Sequence, residues 1–254
     1  MRVNVRNRLV VAAGIGAVAL LGLSASTYAT PRQGQTPKDQ QKQQQAQTKQ
    51  DQAQAKQHQQ ALVTQQQQRL TQYRDHLTQQ QRVAQPKIAQ LQQEKRPTQY
   101  NVQQQYVARL HQQQVTVESQ KPAIYGRDPY FSTPASFRYS RGGQSYETNQ
   151  YGVDVLKQSV NYGYEQGYRT GEADRMDHAA SNFEGSFAYQ DANYGYAGFY
   201  VDRDDYNFYF REGFRRGYED GYGEHTQYGT YVNGKGMILD AILGTIFTVE
   251  AIVR

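Results

Sequence analysis

The chain has no cysteine at all. That excludes a disulfide framework, a thiolate metal site and a cysteine nucleophile, and it argues against a lipid-modified N-terminal cysteine. What stabilises the folded part is therefore noncovalent, unless a metal enters through histidine and carboxylates. Apolar surface is scarce as well. With a mean hydropathy of −0.91 over 254 residues, much of the chain has nothing with which to build a core, and the globular part must be shorter than the whole. Catalytic signatures are missing too: there is no Ser, His and Asp order, no nucleophile elbow and no phosphate loop. Basic residues are scattered rather than gathered into the short runs of a nucleic-acid site, so neither a cofactor nor a nucleic-acid partner is expected.

What is present begins with MRVNVRNR, a basic n-region, followed by the apolar run LVVAAGIGAVALLGL and the small-residue stretch SASTYAT. That order is a secretory signal, and residues 1–29 read as a signal peptide cleaved after Ala29. An uncleaved anchor is the competing reading, since an apolar run only slightly longer would cross a bilayer core of ~30 Å. Either way the rest of the chain is expected outside the cytoplasm, in the periplasm or the extracellular space, in association with the envelope. Charge is divided unevenly. Residues 30–121 carry +8 and residues 122–254 carry −6, so the two parts attract each other or neighbouring copies.

From Pro31 to Gln120, 34 of 90 residues are glutamine, a good helix former, and only Pro86 and Pro97 would break a helix. Residues 30–60 offer almost no large apolar side chain and are expected to be solvated or disordered. Across residues 61–121 a thin stripe emerges. Leu70, Tyr73, Leu77 and Ala84 fall at heptad spacing with Gln80 between them, Ile88 and Leu91 restart the register, and Val102, Tyr106 and Leu110 follow Pro97. The stripe predicts two amphipathic helices that form a weak coiled coil or lie on a partner; a partly helical spacer without a specific partner is the alternative.

Residues 122–157 read as a linker, and residues 158–236 as the informative module. Of the 22 tyrosines, 18 follow residue 121, and there one nonapeptide occurs twice at a spacing of 50 residues. The first copy, GYEQGYRTG, holds Gly163, Gly167 and Gly171; the second, GFRRGYEDG, holds Gly213, Gly217 and Gly221. An aromatic follows the first two glycines of each: Tyr164 and Tyr168, then Phe214 and Tyr218. A four-residue period places the glycines on one helical stripe and the rings on its neighbour. Each helical glycine costs ~1 kcal/mol relative to alanine, and close helix packing is the simplest offset. The pattern predicts an antiparallel helical hairpin with glycines at the seam and the four rings presented as an aromatic surface.

This double G-[YF]-x-x-G-Y-x-x-G pattern, with its acidic lead-in YVDRDDYN, resembles a group of uncharacterised exported bacterial proteins built of Gly/Tyr-punctuated helices. The resemblance covers about residues 158 to 223 and implies no activity. The period is also similar to the deca-Gly-x-x-x repeat of cytoplasmic eukaryotic adaptor proteins, whose helical hairpins serve protein contacts. Only the hairpin idea transfers, because the signal and the glutamine-rich segment depart from that family.

Among Asp202, Asp204 and Asp205, one is expected as the N-cap of the second helix. A calcium loop is the rival, weakened because Asn207 and Gly213 stand where glycine and a bidentate glutamate are needed. The weak metal candidates are Asp174, His178, Asp202 and Asp204, and in an antiparallel hairpin Asp174 and His178 would lie at the far end from Asp220 and His225. Residues 237–254, the most apolar stretch after the signal, dock on the module as helix or strand, or insert in a membrane. The whole reads as a mainly α fold of signal helix, glutamine-rich helical or partly disordered stalk, and small hairpin module with a long connection. The function expected is that of an exported structural or protein-interaction protein of the cell envelope, not an enzyme. Its partner would be another copy, an envelope protein or a polysaccharide, with membrane contact only through an uncleaved signal helix or residues 237–254. The alternative is an extracytoplasmic metal-binding or hydrolytic enzyme using Asp174, His178, Asp220 and His225.

Overall fold

The structure, a computed structural model, describes residues 37–120 and 127–253; the signal reading of residues 1–29 lies outside the described residues. The fold is mainly helical. In chain order come α1 (Pro37–Gln93), α2 (Pro97–Ser119), α3 (Pro129–Ser132), β1 (Phe137–Arg141), β2 (Gln144–Thr148), α4 (Gln150–Met176), α5 (Phe187–Asp191), α6 (Arg203–Gly223), β3 (Gly229–Val232), β4 (Lys235–Ile238), α7 (Asp240–Ile246) and β5 (Val249–Ala251). The chain divides into two units, residues 1–48 and 49–254. Of the first, the described part is helical, and residues 40–48 are exposed. All contacts below lie within the second.

The two glycine helices are α4 and α6, and they run parallel. Gly163, Gly167 and Gly171 face the carbonyl oxygens of Phe210, Phe214 and Tyr218, so the contacts ascend both helices together. In return Gly213, Gly217 and Gly221 face the carbonyls of Val160, Tyr164 and Tyr168. Residue i of α4 therefore pairs with residue i+50 of α6, and the two copies make the same contacts about a local two-fold axis. The expected antiparallel hairpin is thus corrected. Two helices that each carry three glycines in the same order match turn for turn when parallel, and the 26 residues between them are ample for the return over a ~30 Å helix.

A methyl group at any of the six seam positions would sit 1.9–2.3 Å from a carbonyl oxygen of the other helix. Only glycine's Cα hydrogens fit, and Cα–H···O contacts of this kind are worth ~0.5–1 kcal/mol each. They roughly offset the glycine propensity cost of ~1 kcal/mol per residue. The surplus comes from the rings: Tyr164, Phe210, Phe214 and Tyr218 are at most 1% exposed, and each such burial contributes ~1.5–3 kcal/mol. These rings are core. The expected aromatic surface is corrected at Tyr164, Phe214 and Tyr218, because the shallow glycine seam leaves the flanks of both helices open to be covered by α5, the crossover and the β3–β4 pair. Tyr168 is half-buried and stacks on Tyr231 at 4.2 Å.

From Gln66 onward the glutamine-rich segment packs on the rest of the chain. Helix α1 is continuous through Pro86, whose side chain is exposed, and it includes residues 37–60, where disorder was expected. Glutamine and alanine supply the propensity there, and exposure reflects the lack of apolar side chains. Leu70, Tyr73, Leu77, Ala84 and Ile88 are buried as the heptad register predicts, along with Tyr106, Leu110 and Val117 of α2. What they cover is the crossover, residues 177–202 of the same chain: Tyr73 meets the Tyr196 ring edge-on at 4.8 Å, and Leu70 lies against Gly198. Lys95 turns the chain with φ 56°, and Pro97 opens α2. The free amides of Thr98 and Gln99 are capped by the Asp177 carboxylate at 3.0 and 2.8 Å.

The expected linker of residues 122–157 holds α3, a strand pair and the start of α4. Strands β1 and β2 pair antiparallel around Gly142 and Gly143 (φ 57° and 79°), and β3 and β4 around Asn233 and Gly234 (φ 52° and 78°). Strand β5 adds to β1, giving the order β2-β1-β5. The C-terminal segment docks on the module as expected, using strand, helix and strand in succession, with Phe247 buried between Tyr139 and Tyr209. No helix among the described residues is long and apolar enough to cross a membrane.

A substitution series tests the seam. Gly167→Ala and Gly217→Ala should each destabilise by about 3 kcal/mol or more in thermal melts followed by circular dichroism. Gly244→Ala in α7, where an added methyl meets nothing within 4 Å, should leave stability unchanged or raise it by up to ~1 kcal/mol.

Candidate functional site

Four buried aspartates hold the helices together, and each is reached by a tyrosine from another element. Asp174 on α4 accepts from Tyr218 of α6 at 2.7 Å and from Arg96 at 2.5 Å. Asp220 on α6 accepts from Tyr164 of α4 at 2.8 Å, from His225 at 3.0 Å and from the amides of Gln227 and Tyr228 at 2.9 Å each. The two ties have the same offset, each tyrosine reaching an acid six positions further along the partner's register, but they sit one helical turn apart, because the two-fold image of Tyr164 is Phe214, which has no hydroxyl. Asp191 in the crossover accepts from Tyr106 of α2 at 2.7 Å and meets His76 of α1 at 3.2 Å. Asp205 on α6 accepts from Tyr139 of β1 at 2.6 Å and pairs with Arg141 at 2.9 Å.

Burial raises the pKa of both Asp174 and Asp205, with their tyrosine and arginine partners pulling the other way. Burial likewise pushes Tyr139, Tyr164 and Tyr218 above the ordinary phenol value, and the acceptor carboxylates add to the shift. A phenol held neutral beside an acid is a good donor and a poor base. These pairs are built to stay put rather than to exchange protons.

Parallel packing changes the geometry on which the acid–base candidates were judged, since Asp174 and Asp220 now lie near the same end of the helix pair. They do not converge with both histidines. The chain leaves the helix at His178 (φ 53°), whose side chain is exposed, and Asp174 turns to Arg96 and Tyr218. Asp202 takes the N-cap position of α6 but makes no side-chain cap; its carboxylate goes to Arg69 at 2.5 Å. Asp204 is exposed in the first turn, so the acidic run is helical and not a cation loop. Among the described residues no group of three or more His, Asp or Glu side chains is placed to hold a metal ion.

Sequence reasoning missed Asp191, Arg96, Tyr139 and His76, and it named Tyr106 only as an apolar stripe residue. Their partners lie 66 to 115 residues away, so no local spacing marks them. It also missed three glutamines that read the crossover backbone. Gln113 donates to the carbonyls of Asn193 and Tyr196 and accepts from the Gly195 amide, all at 3.0 Å; Gln103 accepts from the Ala188 amide at 3.2 Å; Gln66 donates to the Gly198 carbonyl. No family profile, curated protein or solved structure matches the chain.

The buried phenols set the alkaline limit of the fold. Tyr73, Tyr106, Tyr196 and Tyr206 are all raised, chiefly by burial, so the folded state holds protons that the unfolded chain releases near pH 10. Their stabilisation is complete below that value and is lost above it, by about 1.4 kcal/mol per pH unit per phenol. Raised Asp174 and Asp205 have the same sign at lower pH: their contribution declines as pH climbs from the ordinary carboxylate value through the raised one. Titration above pH 10 should therefore show tyrosinate absorbance and loss of helical ellipticity in one cooperative step; tyrosinate appearing gradually in a still helical protein would contradict this.

Proposed function

We propose that this chain is an exported structural or protein-interaction protein of the cell envelope that works without catalysis. One observation carries the reading: the buried acids serve as ties between elements, each accepting from a tyrosine and lying besides against an arginine, a histidine or backbone amides. A catalytic carboxylate needs a lone pair or proton free for substrate, whereas these are spent on holding α4, α6, the crossover and the glutamine-rich helices together. The long exposed run of glutamine-rich helix, residues 40–58, supports a role in binding, because its amides offer donors and acceptors along a surface with almost no apolar content. Another copy of the chain or an envelope protein is the partner such a surface suits.

The test combines location with association. In cells expressing the full chain with a C-terminal tag, the protein should fractionate with the periplasm, envelope or medium and carry an N-terminus at Thr30. Cross-linking there should trap it with a second copy or an envelope protein. A chain retained in the cytoplasm with its first 29 residues intact would overturn the reading.

A further inference from the structure

A groove of about 280 Å³ lies between α2, the crossover and Tyr162 of α4. Its volume falls just under the usual range of ligand sites, roughly 300–1,000 Å³, and suits one ring with a short arm. The α2 side presents Arg109, Gln112 and Thr116, which spacings of three and four place on one face of the helix. All three are exposed. On the other side Tyr162 and Tyr194 meet edge to face, with ring centroids 5.3 Å apart. Tyr162 is half-buried, and its hydroxyl accepts from Gln158 at 2.9 Å, which leaves the phenolic proton to donate.

Charge sets the class of ligand. No aspartate or glutamate lines the groove, and Arg109 makes no ion pair with an acid among the described residues. Its guanidinium carbon instead lies over the Tyr194 ring, 5.4 Å from the centroid. Stacking holds a guanidinium in place while its N–H edge stays open, and that edge matches a carboxylate oxygen for oxygen. Burial raises the Tyr194 phenol, and of the charges acting on it that of Arg109 is the largest. The acid next in effect, Glu165, is itself paired with Arg169 at 3.4 Å, so the field in the groove is positive. Arg109 also stands well before the end of α2 at Ser119, beyond reach of the negative end of the helix dipole. A single guanidinium suits a monoanion; sites for phosphate groups gather several. The tyrosine pair supplies the edges and faces on which another aromatic ring packs at ~4.5–7 Å between centroids.

We infer that this groove binds a small aromatic carboxylate, its acid group on the Arg109 guanidinium and its ring against Tyr162 and Tyr194. The Gln112 amide, one turn further along α2, offers the same acid group another donor. The inference goes beyond the interaction role and stands on the groove alone, so its failure leaves the test of export untouched.

Isothermal titration calorimetry on the full chain with benzoate, hydroxyphenylacetate and indoleacetate tests it, with benzyl alcohol and inorganic phosphate as controls. At least one of the acids should bind, less tightly as salt is added, and both controls should bind at least about tenfold more weakly. Arg109→Gln, at an exposed position, should leave the melting temperature unchanged and weaken that acid by about tenfold or more. Arg109→Lys keeps the charge without the planar fork and should fall between the two; it decides the matter if Arg109→Gln melts lower. Three results would each overturn the proposal: no binding of any acid, a control that binds as tightly, or an acid held by both Arg109 variants as tightly as by the wild type.

Discussion

The approach of two backbones to Cα–H···O distance along the seam of α4 and α6 is the constraint on which the other features depend. It admits no side chain at six positions, and so it fixes which faces of the two helices meet. Because the helices are parallel, the chain must travel the length of the pair between them. The resulting crossover has little regular structure beyond the short α5, and its peptide groups need partners that a sheet or long helix would have supplied internally. The glutamines of α1 and α2 provide several of them. A composition that looks like low complexity is, at Gln66, Gln103 and Gln113, a set of long neutral amides able to donate and accept at once.

The same constraint explains the aromatic content. A glycine seam is shallow, so the flanks of both helices must be filled by large flat groups, and tyrosine fills them while carrying a hydroxyl to the next element. The tyrosine–aspartate ties then join parts that apolar contact alone would orient loosely. Charge follows the same plan. The basic arm and acidic module implied by the sequence meet within one chain through Arg69–Asp202, Arg96–Asp174 and His76–Asp191.

Much of this was legible in the residues. The doubled nonapeptide marked both glycine helices and their seam, the heptad stripe named the buried face of α1 and α2, and the C-terminal segment was placed on the module. Direction was misread because periodicity is blind to it; the evidence lay in the 26-residue connection, too long for a hairpin. The two strand pairs were missed although their turns, Gly142–Gly143 and Asn233–Gly234, are the usual type for tight hairpins. The tyrosine–aspartate ties had no local signal, since their members come from segments far apart in the chain.

Parallel register is the central claim, and the absence of cysteine makes it easy to test, because introduced cysteines are the only ones to label. Electron paramagnetic resonance distances should be measured for nitroxide pairs at the exposed positions 154 with 204 and 154 with 224. Parallel packing predicts a short distance for the first pair and a much longer one for the second, since position 224 lies a further ~30 Å along the helix axis. The reverse order would mean that the helices run antiparallel and that the account of the seam, the crossover and the arm is wrong.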